Sequence, residues 1–443
     1  MESLAKAVEK HEKLILDSER YLWKIPETGF KEVKSSKYIQ EVFEGLGYEL
    51  TLAGNIPGFY TTIDTGRPGP TLLILGELDS VICPQHPEAN PETGAVHACG
   101  HHTQGAALIG IAAALKEPGV LDRFSGKIKL CSVPAEELLE IDYRSELKKQ
   151  GIIKYFGGKS EFLSRGYFDD VDLAFMVHST TMFCVKDGSV GCMAKKITYK
   201  GKASHAGGSP WNGINALYAA TNGLNAINAI RETFQEKDIV RVHPIITEGG
   251  AMVNAIPGST TLESYVRSAT FEGMAAANKK VNRALTGAAL SLGANVEIND
   301  FPGYAPLKND EELIKVAMEA AEMAIPDKGF KHFESIGSGS TDMGDLSAVM
   351  PVVHPYAGGR VGTGHGADNF VANPVDACIG SAKLQMAMIL ILLGDGAKRA
   401  QKVSDEYKAP FASIKQYVDY MDSLIDSGER IEYTEDGNAK VRL

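Results

Sequence analysis

The chain has 443 residues, with 45 Lys and Arg against 56 Asp and Glu, and its formal net charge of −11 argues against nucleic acid or an anionic membrane as the main partner. Hydrophobic content of 44% and charged content of 23% are ordinary for a soluble globular protein, and the length is roughly three domains' worth of chain, though two unequal domains fit as well. Six scattered cysteines (Cys83, Cys99, Cys131, Cys184, Cys192, Cys378) are too few for a disulfide scaffold. No segment has the ~18 uninterrupted apolar residues of a membrane span, and the longest run, Ala387 to Leu393, stops at Gly394-Asp395-Gly396 and reads as a buried helix. Met1 to Lys6 lacks the apolar core of a signal peptide. The expectation is a reducing cytoplasm in which free thiols can bind metal.

In chain order, residues 2–24 have helical periodicity, Pro26-Glu27-Thr28-Gly29 breaks it, and a second helix is expected near 34–46. Thr71 to Leu75, Lys127 to Val133 and Leu173 to Val177 are short apolar runs of the kind found in strands buried on both faces. Ala106 to Leu115 is a helix rich in Ala, Leu and Ile. Alternation of such strands and helices predicts an α/β domain, a mostly parallel sheet with helices on both faces. From about residue 190 the pattern changes. Met193 to Tyr199 is a strand, Asn212 to Phe234 a helix, Val240 to Thr247 and Ser259 to Arg267 two strands. Phe271 to about Leu292 is a helix leading into the strand Ala294 to Ile298. That order, β-α-β-β-α-β, is ferredoxin-like α+β, inserted at 190–301 within a larger domain made of 1–189 and 302–443. Charged helices and a polar tail follow residue 400, with no functional reading.

The chemistry concentrates in Val96-His97-Ala98-Cys99-Gly100-His101-His102. A thiolate and an imidazole one glycine apart bind borderline-soft divalent cations well, and packing gives no reason to cluster imidazoles. Cys-His nucleophilic catalysis is the rival, but it leaves Pro134-Ala135-Glu136-Glu137 unused. Of two adjacent carboxylates, one can hold metal while the other takes a proton from water. Asp79, Glu136, Glu137 and His178 each lie just past a predicted strand, and carboxyl ends of strands form the ligand crevice of open α/β sheets. Alone, His178 would read as a satisfied structural histidine and Glu136-Glu137 as a solvated helix start. His365, in Gly362-Thr363-Gly364-His365-Gly366, is a candidate ligand. His86, His243, His332 and His354 read as structural, and His11 as a surface residue. Within the insert, His205 sits in a loop of small residues. Asn254 could be a turn residue or a substrate contact. Arg267 could be a surface residue or a carboxylate clamp.

Taken together, Gly76-Glu77-Leu78-Asp79, His97-Ala98-Cys99-Gly100-His101, Pro134-Ala135-Glu136-Glu137, Gly201-Lys202-Ala203-Ser204-His205-Ala206 and Asn254-Ala255-Ile256-Pro257 make the chain resemble metallopeptidase family 20, amidohydrolase subfamily D. This group contains aminoacylases, indole-acetyl-amino-acid hydrolases and aminobenzoyl-glutamate hydrolases. The resemblance runs from Pro26 to about residue 395. It implies a zinc-peptidase-like catalytic domain, an inserted lid and dimerisation domain, and a homodimer. It further implies two divalent metal ions per chain, zinc first, with manganese, nickel or cobalt also compatible. Cys99 would hold or bridge the metals, with Glu137 and His365 completing one and His101 and His178 the other. Glu136 matches the general base, and Asp79 an acid that orients a ligand. His205 matches a histidine reaching across the dimer to polarise the substrate carbonyl, and Asn254 and Arg267 match positions that hold the substrate's carboxylate end. The implied activity is metal-dependent cleavage of the amide bond of an N-acyl amino acid or small dipeptide-like substrate. The alternative is a catalytically silent homologue that binds acyl-amino acids without cleaving them. Two departures stand out: His102 replaces the Asp or Asn usual after Cys-Gly-His, and Cys83 to Thr93 is an unusual insertion carrying His86.

Overall fold

The run Thr71–Glu77 forms a strand in which all seven residues are buried, as a strand covered on both faces must be. It pairs in parallel with Lys127–Val133 on one side and Leu173–Phe175 on the other. Val352–Val353 adds a fourth parallel strand beyond Leu173–Phe175. Phe59–Asp64 pairs antiparallel with Lys127–Val133, and Thr51–Leu52 lies outermost. The sheet is thus mostly parallel with an antiparallel margin. Its four parallel strands end at one rim, where the chain continues into Asp79, Glu136, His178 and His354.

The structure, a computed structural model, describes residues 1–443 and separates into two units. The first comprises Met1–Ser189, Leu307–Gly337 and Thr341–Lys415. Helix His101–Leu115 is buried along all fifteen residues and packs on Thr71–Glu77 and on helices Glu12–Trp23 and Ser381–Leu393. Ser381–Leu393, with the turn before it, is long and apolar enough to cross a membrane, yet 72% of that window is buried inside this unit. Its apolar surface is spent on the core shared with Leu72, Ile74 and Leu130. The N-terminal helical region is two helices, Glu2–Glu9 and Glu12–Trp23, interrupted at Lys10 and His11.

The second unit comprises Val190–Pro306, Ser338–Ser340 and Gln416–Leu443. Strand Gly191–Lys200 lies between Ser259–Ser268 and Asn295–Tyr304, with Arg241–Glu248 outside Ser259–Ser268, all antiparallel. Helices Ala216–Ala229 and Phe271–Ser291 pack together over one face, and burial alternates along Asn295–Tyr304 as a half-buried strand requires. This strand order is that of the ferredoxin-like arrangement.

The domain boundaries need correction. Residues 302–306, 338–340 and 416–443, assigned above to the catalytic domain, belong to the second unit. Asn295–Tyr304 runs unbroken through Pro302, and Asp426–Glu429 pairs with Glu297–Asp300 as a fifth strand. Asp-Ser-Gly-Glu has no hydrophobic alternation, so periodicity could not reveal this strand. What holds it is backbone pairing, together with Arg430, which is buried and donates to Ile298 O.

Candidate metal centre

The rim of the first unit gathers side chains from five places in the chain. The ligand atoms of Cys99, His101 and His178 all lie within 4.8 Å of one another, and so do those of Cys99, Glu137 and His365. Cys99 is common to both triplets. Its Sγ is 3.4 Å from His178 Nε2, and His365 Nε2 is 3.1 Å from Glu137 Oε1. Cys99 is presented by Gly100, whose φ of 110° starts helix His101–Leu115. A side chain at Gly100 would meet the Arg360 guanidinium and Ser179 Oγ within 2.5 Å, so only glycine fits there.

Hydrogen bonds fix which nitrogen of each imidazole faces the cluster. His101 Nδ1 lies 2.9 Å from Asp79 O and 3.0 Å from Asp79 Oδ1. Both are acceptors, so Nδ1 carries a proton and Nε2 is the coordinating atom. His178 Nδ1 donates to Ser179 O at 2.8 Å, which likewise leaves Nε2 toward Cys99. Asp79 stays outside the cluster, and its Oδ2 accepts from the Glu137 backbone N–H at 2.7 Å. One buried carboxylate therefore orients two candidate ligands, the usual work of a group behind a metal site.

Within the cluster a thiolate faces imidazoles that hold their protons. Burial pushes the Cys99 thiol up, but His101 and His178 outweigh it and hold the thiol well below its ordinary range. Burial raises Glu136 well above the usual carboxylate value, with Glu77 and Glu137 adding to the shift. Burial and the Cys99 charge raise Glu137 to about 7. His365 is raised to about 11 by its hydrogen bonds to Cys99 and Glu137. A shared thiolate, three imidazole nitrogens and a carboxylate, gathered into two triplets, fit two divalent cations of the zinc type. Glu136 belongs to neither Cys99 triplet. It forms a third group with Glu77 and His101, and its Oε2 is 3.9 Å from His101 Nε2.

Behind this group lies a buried charge network not anticipated from sequence. Lys159, with no exposed side-chain surface, donates from Nζ to Glu77 Oε1 at 2.5 Å and to the Asp342 carboxylate. Its backbone N–H donates to Asp342 Oδ2 at 2.9 Å. Gln104 Nε2 donates to Glu77 Oε2 at 2.7 Å. Glu77 could have been found, since it lies two residues before Asp79 at the same strand end. Lys159 and Asp342 come from distant segments of common residue types and carry no local signal.

His102 is not part of the cluster. Consecutive helix residues point about 100° apart, and His102 turns its Nε2 to 3.2 Å from Glu19 Oε1. Its ring lies 5.0 Å from Trp23 and 4.9 Å from His97. Burial and Arg360 lower its pKa well below the ordinary histidine value. His354 donates from Nδ1 to Met176 O, as a structural histidine should.

The second unit carries the remaining candidates. His205 pairs with Ala255 in a two-stranded ladder, and Ala206 N donates to Asn254 O at 2.9 Å, so His205 and Asn254 are neighbours. His205 Nδ1 accepts from the N–H groups of Gly207 and Gly208 at 3.2 and 2.8 Å. The proton of this exposed imidazole is therefore on Nε2, ready to donate. Arg267 lies at the far end of Ser259–Ser268, opposite Cys192, and is not brought next to Asn254 within this unit. Its guanidinium rests over the Tyr265 ring at 5.5 Å, and its Nε has no partner.

The sequence pattern of Peptidase family M20/M25/M40 matches residues 73–391, and the chain belongs to that family. It is 32% identical over 283 residues to the Xaa-Arg dipeptidase of Mus musculus, covering 61% of this chain. The match spans 58% of the mouse protein, less than two thirds of its length. It is 26% identical over 362 residues to the indole-3-acetyl-aspartic acid hydrolase of Enterobacter agglomerans, covering 69% of this chain and 74% of that one. Among solved structures, a dinuclear metal-binding peptidase of the M20 family from Bacillus subtilis has the same fold. Its TM-score is 0.64 at 21% identity, with 87% of this chain and 99% of that one covered.

Proposed function

We propose that this chain is a metal-dependent amidohydrolase that cleaves the amide bond of an N-acyl amino acid or a small dipeptide. The observation that carries this reading is one thiolate, Cys99, shared by two ligand triplets with the buried Glu136 carboxylate beside them. In this reading Cys99, Glu137 and His365 hold one ion and Cys99, His101 and His178 the other. When bound, such ions polarise the amide oxygen and make water more acidic. Zinc suits the thiolate and imidazole donors best, with manganese, nickel and cobalt as further candidates.

The protein groups divide the rest. Glu136 takes a proton from the attacking water as the oxygen bonds to the carbonyl carbon. It returns that proton to the nitrogen as the C–N bond breaks. Burial raises the basicity of Glu136, which suits it to both transfers. Asp79 holds His101 and the Glu137 backbone in register. His205, with its proton on Nε2, is suited to donate to the developing oxyanion. Asn254 and Arg267 are suited to the substrate's carboxylate end.

A homodimer through the second unit is part of the proposal, with the partner subunit's His205 completing each site. In support, Arg241–Glu248 is an edge strand with one neighbour. Trp211, Tyr218, Ile245, Met252 and Val253 are large apolar side chains exposed on the same unit. All six cysteines are free, in keeping with a reducing compartment. His102, the departure on which a silent binding homologue would rest, is turned toward Glu19 and Trp23, away from Cys99.

The names of the relatives set the test panel: aminobenzoyl-glutamate, acetylated amino acids, indole-acetyl-aspartate and dipeptides ending in arginine, each with the metal varied. Glu136→Gln should keep two metals per chain and lose turnover on the order of 10²–10⁴-fold. Near-normal turnover in that variant removes Glu136 from the reaction, and a metal-free protein that binds but does not cleave these amides overturns the enzyme reading.

A further inference from the structure

His365 is held unlike the other candidate ligands. Cys99, His101, Glu137 and His178 are fixed at strand ends or at a helix start. His365 sits in an eight-residue loop, Gly362 to Asn369, closed by the hairpin Arg360–Val361 and Phe370–Val371. Its φ is +61°, a conformation that costs a non-glycine residue about 1 kcal/mol or more. Its side chain is 55% exposed. Something must keep this loop from relaxing, because a misplaced His365 would open one of the two ligand triplets.

The loop is held at two points, by the His365 N–H, which donates to Ala98 O at 3.2 Å, and by Asn369, 4% exposed. Its Nδ2 donates to Thr363 O at 2.9 Å, and its Oδ1 accepts from Arg360. Its backbone O receives a bond from outside the hairpin, from His86 Nε2 at 3.0 Å. His86 lies in the Cys83–Thr93 segment, which the proposed reaction does not use. The Glu88 N–H donates to His86 Nδ1 at 3.0 Å, so the proton is on Nε2, and both nitrogens of a neutral imidazole are committed. The ring packs 4.7 Å from Phe370 and 5.9 Å from Trp23. The segment is itself tied down: Val81–Ile82 pairs with Ala95–Val96 at its base, and Trp23 Nε1 donates to Glu88 Oε2 at 2.6 Å.

We propose that the Cys83–Thr93 segment is a strap and that His86 is a positioning residue that holds the His365 loop in ligating register through Asn369. The connection runs from Trp23 through Glu88 and His86 to Asn369, and thence to His365. Its consequence is selective. The ion held by Cys99, Glu137 and His365 depends on the strap, whereas the ion held by Cys99, His101 and His178 does not. This rests on the two-ion reading above and adds to it a residue and a segment that decide the occupancy of one position.

The test is zinc titration of the full-length, metal-stripped chain by calorimetry at fixed pH, for wild type, His86→Phe and His365→Ala. Phenylalanine keeps the ring against Trp23 and Phe370 but loses both nitrogen contacts. Wild type should take up two ions. His86→Phe should weaken one binding step by about tenfold or more, the usual effect of losing a group behind a ligand, and leave the other within about twofold. The affected step should be the one that His365→Ala abolishes. Glu88→Ala, at a half-exposed position, loosens the strap from its other end and should weaken the same step even if His86→Phe fails to fold. Two ions in wild type with both steps unchanged, or equally weakened, in the strap variants overturns the positioning role alone. Fewer than two ions in wild type overturns the metal reading beneath it.

Discussion

Replacing Lys159 with methionine is the most direct test of the charge balance around the candidate centre. The ammonium is fully buried and shared by Glu77 and Asp342. Removing one partner of a buried ion pair costs about 3–5 kcal/mol, because the charge left behind has no counterpart. Gln104 still donates to Glu77 and the backbone N–H of residue 159 still donates to Asp342, which puts the expected loss near the lower end, about 3 kcal/mol. The pH dependence makes the cause identifiable. In the wild type, burial pushes Glu77 up, but Lys159, His101 and His178 outweigh it and hold the carboxyl down to about 2. Burial raises Asp342 to about 6 even with Lys159 beside it. Without the ammonium both folded-state values rise. A carboxyl whose folded pKa lies above its unfolded value costs stability at higher pH, and that cost disappears as pH falls to the unfolded value near 4. The gap between variant and wild type should therefore be full at pH 8 and shrink steadily toward pH 5. Urea unfolding of both metal-stripped proteins at pH 8, 6.5 and 5 measures it. A gap below about 1 kcal/mol at pH 8, or one that widens on acidification, refutes the reasoning.

Gly158→Ala probes the same region by shape, since a Cβ there would lie 1.7 Å from Pro134 O. The segment leading to Glu136 has to move, so a stability loss of about 1–3 kcal/mol and a fall in amide hydrolysis of about 100-fold are expected. Wild-type kcat in a correctly folded variant contradicts this. Zinc uptake should release protons, because the hydrogen bonds of His365 to Cys99 and Glu137 raise it to about 11 and make it an imidazolium at neutral pH before metal binds. Metal binding needs that nitrogen bare, so affinity should rise with pH. Calorimetry at pH 7.5 in buffers of different ionisation enthalpy should give at least about one proton per chain, and no release excludes His365 as a ligand.

Much of the rim could be read from sequence because few residue types serve as ligands and because parallel strands deliver their ends to one edge. Cys99, His101, Glu137, His178 and His365 drew notice by type and position, and the structure gathers them within two triplets. The alternating strands and helices similarly announced a mostly parallel sheet, and the β-α-β-β-α-β order announced the second unit's topology. What escaped was whatever depends on a partner far along the chain. Lys159 is an ordinary lysine until Glu77 and Asp342 are folded around it. His86 looked structural because nothing near it in sequence hints that it would meet Asn369. His102 drew attention as a neighbour of ligands, but helix geometry sends its ring to Glu19. Asp426–Glu429 escaped because its pairing is carried by backbone groups, which composition does not reveal.

That last strand bears on the order of events during synthesis. The ribosome completes the first four strands of the second unit's sheet by Tyr304, but the fifth emerges only after more than a hundred further residues. Until then the Asn295–Tyr304 margin carries unpaired amides and carbonyls, a template for mispairing with other nascent chains. Closing it means joining segments far apart in the chain, which is entropically slow. The tail is thus a late-arriving shield, and shortening it should show up as aggregation during expression before any change in catalysis.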